Sequence, residues 1–85
     1  MTKKEYQKWV KRLKKYWKMM EKEYGRFLMK EKEIEDLMEK ETGEQLEFFY
    51  VDGMAVGIGH KDWGRHNRRH KKYFPLIHDS DLRRI

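Results

Sequence analysis

The segment LEFFYVDGMAVGIG, residues 46–59, decides the fold that we predict for this chain. It contains two extended runs rich in aromatic and β-branched residues, which are typical of β-strands. Asp52-Gly53 joins the runs, and this pair is favoured in the two-residue type I′ turn of a hairpin. We therefore predict an antiparallel β-hairpin over residues 45–59.

Counting outward from a two-residue turn also predicts which residues face each other across the hairpin. One face would hold three pairs and pack on the rest of the protein: Val51 with Met54, Phe49 with Val56, and Glu47 with Ile58. The other face would place Tyr50 beside Ala55 and Phe48 beside Gly57. Unless another element covers the rings of Phe48 and Tyr50, they are candidates for stacking on unpaired bases.

Residues 2–42, which precede the hairpin, carry a helical pattern. The sequence TKKE from Thr2 to Glu5 is a capping box, and Gly43 suits a left-handed C-cap. Apolar residues recur at steps of four and three at Tyr6, Val10, Leu13, Trp17, Met20, Tyr24, Phe27, Ile34 and Met38. We favour one long amphipathic helix, with Gly25 as the place for a kink. Such a helix would be about 60 Å long, so we expect part of its apolar stripe to pack on a second copy in a coiled-coil homodimer.

The segment HKDWGRHNRRHKKYF, residues 60–74, predicts a short basic helix capped by Asp62 and ended by Pro75. Beyond it we expect a short strand at Leu76 and Ile77, then a final turn capped by Ser80 or Asp79. The fold class is therefore α+β in one domain, residues 1–85, with a helix at 2–42, the hairpin at 45–59 and a basic segment at 60–85.

Composition excludes several classes of protein. The 85 residues include no cysteine, which excludes disulfides and thiolate metal sites. No apolar run is long enough for a membrane span, and the start MTKKEYQKW lacks the apolar part of a secretory signal. We expect a cytoplasmic protein without membrane association.

The charge of the chain, +6 in total, is concentrated towards its two ends. Residues 1–20 hold eight basic side chains and one acidic one, and residues 60–85 hold eight and three. Residues 21–45 are acidic, with nine carboxylates against five basic groups. If the two basic segments meet in space, they form one surface that attracts polyanions.

Six lysines lie opposite the apolar stripe on a helical wheel and form what we call the lysine ridge: Lys4, Lys8, Lys11, Lys15, Lys18 and Lys22. Like charges at these spacings destabilise a helix, and a helix that needed only solubility would intersperse glutamates. The ridge would be roughly 27 Å long, enough to follow several phosphates of a nucleic acid. A plain solvated helix face is the alternative interpretation.

A second basic group, which we call the arginine segment, falls on one face of the predicted C-terminal helix: Arg65, Arg68, Arg69 and Lys72. Guanidinium groups hold phosphate oxygens in pairs or contact guanine edges, whereas lysines act as point charges that do not read sequence. Together the two sets predict a nucleic-acid-binding protein that contacts phosphates. The pattern leaves open whether the partner is DNA or RNA.

Catalysis and metal binding are less well supported by the sequence. His66 and His70 have the one-turn spacing of two metal ligands, but a third would have to come from His60, His78, Asp79 or Asp81. The run HDSD, residues 78–81, is explained by helix capping, and no phosphate-binding loop occurs. We predict a protein that is not an enzyme and has no cofactor.

Two other functions are compatible with the sequence. The first is an interaction or inhibitor module that binds an acidic surface of a larger protein, such as one that processes nucleic acid, with exposed aromatic rings as its main contacts. Those rings would be Trp9, Tyr16, Phe48 and Tyr50. The second is a purely structural coiled-coil dimer, whose helicity would depend on concentration.

Overall fold

The protein is described by a computed structural model, which covers residues 1–23, 28–61, 63 and 74–84. In chain order the elements are helices α1 (Lys3–Glu23) and α2 (Leu28–Thr42), strands β1 (Leu46–Val51), β2 (Met54–His60) and β3 (Ile77–His78), and helix α3 (Asp79–Leu82). The three strands form one antiparallel sheet in the order β1-β2-β3. The predicted α+β class, with a long N-terminal helix and a hairpin, is confirmed.

The predicted helix signals at both ends of the helical region are confirmed. Thr2 Oγ1 accepts the backbone N–H of Glu5 at 3.2 Å, and its hydroxyl donates to Glu5 Oε1 at 3.1 Å. Gly43 has a φ of 77°, and its N–H donates to the carbonyl of Glu39 at 2.9 Å. The threonine half of the capping box therefore caps the start of α1, with Glu5 bonded to the Thr2 hydroxyl, and the left-handed glycine ends α2.

The single continuous helix favoured over residues 2–42 is replaced by two helices that fold back on each other. In a straight helix, residues 16 and 41 would lie about 37 Å apart. Instead, the hydroxyl of Tyr16 donates to Glu41 Oε1 at 2.5 Å. The chain therefore reverses between α1 and α2, and Gly25, where a kink was expected, lies outside the described residues.

Much of the apolar stripe in the described residues is covered within one chain, while Tyr24 and Phe27 lie outside those residues. The homodimer stays a prediction. Leu13, Trp17 and Met20 of α1 pack with Ile34 and Met38 of α2 in one core. That core draws on every described helix and strand and on Phe74. Its buried apolar side chains are Leu13, Tyr16, Trp17, Met20, Ile34, Met38, Leu46, Phe48, Ile58, Phe74, Ile77 and Leu82. Burial of this stripe supplies the main hydrophobic stabilisation of the fold.

The hairpin turn is confirmed, because Asp52 and Gly53 have φ values of 51° and 79°, as a type I′ turn requires. The predicted register holds only beside the turn. A β-bulge leaves Val56 without a direct partner, so Phe49 pairs with Gly57 and Phe48 pairs with Ile58. Each remaining pair is shifted by one residue on β2.

The bulge also corrects the predicted core face of the hairpin. Leu46, Phe48 and Ile58 now share the face that packs on the helices, and Phe48 lies 6.0 Å from Trp17 between ring centres. With the predicted register, Glu47 would have shared the core face with Ile58. The shift buries an apolar residue in place of this carboxylate, which favours the observed pairing.

The opposite face of the sheet is covered by residues from either side of the arginine segment. Trp63 packs edge-on against Phe49 with ring centres 5.5 Å apart, and the Leu76 side chain lies against Gly59. The predicted basic helix itself falls on residues 62–73, which lie outside the described residues except Trp63.

The C-terminal part of the chain adds a strand and a short helix, close to the prediction. The strand is Ile77–His78, one residue later than expected, and it pairs with β2. Neither Ser80 nor Asp79 caps α3. The N-cap residue is His78, and its side chain makes no capping hydrogen bond to the N-terminal end of the helix. Ile77 and Leu82 are fully buried and complete the core.

Candidate nucleic-acid interface

The lysine ridge lies on the exposed face of α1. Leu13 and Trp17 point inward and are fully buried, so the opposite face of the helix is turned to solvent. All six ridge lysines are exposed: Lys4, Lys8, Lys11, Lys15, Lys18 and Lys22. Because the core fixes the rotation of α1 about its axis, these ammonium groups lie on one exposed face of the helix.

Arg12 adds a seventh cation at the border of the ridge. Its guanidinium carbon lies 4.5 Å from the centre of the Trp9 ring, a cation–π contact that restrains an otherwise mobile side chain. Sequence reasoning missed Arg12 because it lies off the narrow stripe of lysines. The i to i+3 spacing from Trp9 is the signal that would have identified it.

One carboxylate from α2 reaches the ridge. Glu41 Oε1 accepts the Tyr16 hydroxyl at 2.5 Å and lies 3.4 Å from Nζ of Lys15. The hydrogen bond from Tyr16, followed by the charge of Lys15, holds the pKa of the Glu41 carboxyl below its usual value. The same group of contacts, with Tyr16 first and Glu41 second, raises the pKa of Lys15.

Burial raises the pKa of Tyr16, and its hydrogen bond to Glu41 acts in the same direction. The Tyr16 phenol therefore stays protonated and serves as a donor. Tyr16 as a whole is only 1% exposed, and its hydroxyl extends from α1 to Glu41 on α2. Tyr16 is thus a fixed donor beside the ridge.

The arginine segment is not placed relative to the ridge, since Arg65, Arg68, Arg69 and Lys72 lie outside the described residues. Two residues that border it are held in the fold. Trp63 packs on Phe49, and Phe74 lies edge-on to Trp9 with ring centres 5.0 Å apart. The partner of Phe74 therefore belongs to α1, the helix that carries the ridge.

The two rings that were candidates for base stacking differ in exposure. Phe48 is 5% exposed and packs in the core, so the prediction that it stacks on bases is corrected by its burial. The cause is the bulge, which turns Phe48 towards the helices. Tyr50 is 39% exposed beside the hairpin turn.

The aromatic contacts expected for an interaction module are corrected in the same way. Tyr16 is buried and Trp9 is half-buried, so neither ring is an open contact surface. The large apolar side chains that do protrude belong mainly to the hairpin tip, where Val51 is 58% and Met54 66% exposed.

The described part of the chain offers no cluster of three histidine, aspartate or glutamate side chains that could hold a metal ion. His66 and His70, the two residues with ligand spacing, lie outside that part. None of the helices within residues 1–23, 28–61 and 74–84 is long and apolar enough to cross a membrane.

Comparison of the chain with protein-family models, with curated proteins and with solved structures finds no match.

Proposed function

We propose that this protein binds nucleic acid through phosphate contacts and has no catalytic role. The observation that carries the proposal is the lysine ridge: six exposed lysines on one face of α1, with no acidic residue of that helix on the same face. The arginine segment supplies further phosphate contacts in this proposal. We place the protein in the cytoplasm.

The chemistry of the ridge favours binding without sequence selection. Each ammonium group attracts a phosphate as a point charge and displaces a condensed counterion, which makes the affinity dependent on salt. Bidentate readers of base edges, such as arginine, asparagine and glutamine, are absent from the row of lysines itself. Any selectivity for bases would have to come from the arginine segment.

The spacing of the ridge supports an extended polyanion as ligand. Successive ridge lysines are separated by three or four residues, which is about 4.5 or 6 Å along the helix axis. This even series offers one cation at each step along roughly 27 Å. A polymer with regularly spaced negative charges is the ligand that can contact all six at once.

Fluorescence anisotropy with labelled single-stranded DNA, duplex DNA and RNA over a salt series tests the proposal. The variant Lys11→Glu/Lys18→Glu reverses two ridge charges. The control Lys32→Glu/Lys40→Glu makes the same change in net charge at two exposed positions of α2. We expect tight binding by the wild type, a large loss in the ridge variant and a small loss in the control.

The salt dependence gives the sharper readout. On a duplex, log affinity falls as log salt rises, and the magnitude of this slope should be smaller by about 1.8 in the ridge variant. This corresponds to about 0.9 for each of two lost phosphate contacts. Equal losses in the two variants would mean that net charge alone is sensed and would contradict a ridge-specific site. Absence of binding at low salt would contradict the function itself.

The exposed hairpin tip supports a second candidate function, binding to an acidic surface of a larger protein. Val51 and Met54 are both more than half exposed and lie next to each other across the turn. Such a pair suits the apolar centre of a contact whose rim is charged. The variant Val51→Ser/Met54→Ser should then lose a co-purifying protein that survives a nuclease wash, while Lys32→Glu/Lys40→Glu should retain it.

A further inference from the structure

A shallow depression lies where the lysine ridge meets the C-terminal end of α2. It is lined by Lys11, Arg12, Lys15, Tyr16, Glu41 and Thr42. Three of these residues are cations and two carry a neutral hydroxyl, of which that of Thr42 donates to the Met38 carbonyl. The cations and the Tyr16 hydroxyl give the depression the donor set of an anion site. The only carboxylate among the lining residues is Glu41.

Glu41 uses one oxygen for two donors of that set. Its Oε1 accepts the Tyr16 hydroxyl and lies within ion-pair distance of Lys15 Nζ. The ring of Tyr16 is buried and fixes one donor in place, whereas the side chains of Lys15 and Glu41 are 61% and 42% exposed. An ion pair this exposed contributes little to stability, so Glu41 can leave without unfolding the protein.

A phosphate oxygen requires the same partners as this carboxylate oxygen, namely an ammonium group and a hydroxyl donor. A phosphate group would also attract Lys11 and Arg12. Glu41 does not neutralise these two cations, because its Oε1 contacts Tyr16 and Lys15. We propose that Glu41 occupies the position of one phosphate group on the ridge and that a phosphate of the bound polyanion displaces it. This proposal rests on the proposed function and adds a built-in competitor to it.

The competitor has two consequences for binding. Each encounter must break the contacts of Glu41 with Tyr16 and Lys15, which weakens the affinity. The displaced Glu41 carboxylate keeps its negative charge beside the bound phosphate and retains one cation there. The wild type should therefore release fewer cations on binding, and its affinity should depend less steeply on salt than six lysines would give. Removal of the Glu41 charge should reverse both effects.

The test compares Glu41→Gln with Glu33→Gln, using a labelled single-stranded DNA as the probe. Both residues are exposed on α2, and both substitutions remove one negative charge. Glutamine at position 41 still offers an oxygen to the Tyr16 hydroxyl, so the packing of α1 on α2 is retained. We expect a several-fold gain in affinity for Glu41→Gln and a steeper salt slope, by about 0.7 per additional contact on a single strand. Glu33→Gln should change both only slightly.

A second measurement follows Glu41 directly in the wild-type protein. The carbon-13 chemical shift of its carboxyl group should move when the DNA is added, because its contacts with Tyr16 and Lys15 are lost. Two results would overturn the proposal that Glu41 competes with phosphate: DNA binding without a change in the Glu41 carboxyl signal, or equal gains in affinity in Glu41→Gln and Glu33→Gln. Either result would leave the proposed function in place. Failure of every variant and of the wild type to bind would overturn the proposed function instead.

Discussion

The carboxylate of Glu35 on α2 accepts the backbone N–H of Phe48 on β1 at 2.9 Å. Since β1 lies at the edge of the sheet, this amide points away from β2 and would otherwise be available to a strand from another chain. Glu35 therefore ties α2 to the sheet and protects its edge. Burial raises the pKa of Glu35; the Phe48 N–H opposes the shift, and the charges of Glu47 and Glu31 add to it.

The raised pKa of Glu35 gives a pH dependence of known sign. Because the folded state holds the proton more tightly than the unfolded state, this carboxyl stabilises the fold most below the ordinary glutamate pKa of about 4.3. That contribution is lost as the pH rises through the raised value. Glu35→Gln should flatten the stability profile above pH 4.3, as measured by urea unfolding. A wild-type to variant difference that is constant with pH would contradict this assignment.

Glu35→Ala should behave differently from Glu35→Gln, because it removes the acceptor as well as the charge. A partly buried N–H left without its partner costs about 1 to 3 kcal/mol in the free energy of unfolding. We expect that loss at neutral pH, with faster hydrogen exchange at the Phe48 amide. Glu33→Ala, at an exposed position of the same helix, is the control and should change stability little.

Gly57 lies so close to β3 that any side chain there would collide with the backbone. A Cβ at this position would be 2.3 Å from the carbonyl oxygen of Ile77. Gly57→Ala should therefore shift β3 and lower the free energy of unfolding by about 1 to 3 kcal/mol. Thermal and urea unfolding measure this loss. Gln45→Ala, at an exposed position before β1, should stay within roughly 0.5 kcal/mol of the wild type.

The hydroxyl of Tyr6 connects the start of α1 to the C-terminal part of the chain. It donates to Asp81 Oδ2 at 2.7 Å and accepts the backbone N–H of His78 at 3.1 Å. Tyr6→Phe removes both contacts and should cost about 1 to 2 kcal/mol. A double-mutant cycle with Asp81→Ala should give a clear coupling energy, and effects of the two changes that simply add would contradict the contact.

The arginine segment can be tested without knowledge of its placement. If it contacts the same nucleic acid as the lysine ridge, Arg68→Ala/Arg69→Ala should lower the salt slope on a duplex by about 1.8, as two lost phosphate contacts require. Combination with Lys11→Glu/Lys18→Glu should lower the slope further. An unchanged slope in the arginine variant would show that the segment makes no phosphate contacts.

The features predicted well from the sequence are those set by a few neighbouring residues. Thr2 with Glu5, the Asp52-Gly53 turn and the left-handed Gly43 each depend on local backbone chemistry. Exposure of the lysine ridge was also predictable, because helical periodicity places it opposite the buried stripe whatever covers that stripe.

The features predicted poorly depend on contacts between distant residues. The apolar spacing keeps the same phase on either side of Gly25 whether the helix continues or reverses, so the pattern could not separate one helix from two. The bulge at Val56 has no signal of its own and follows from the need to bury Phe48. In the same way Glu41 reaches Lys15 only because the chain reverses, which no local pattern records.

The burial of Ile77 and Leu82 against helices from the first half of the chain determines when the protein can fold during its synthesis. At about 5 to 20 residues per second, a ribosome needs roughly 3 to 12 s to proceed from the end of α1 to Leu82. Throughout that interval the nascent chain carries a lysine-rich amphipathic helix whose apolar face is incompletely covered. The growing polypeptide therefore exposes apolar surface, of the kind that chaperones protect, until its last core residue has been added.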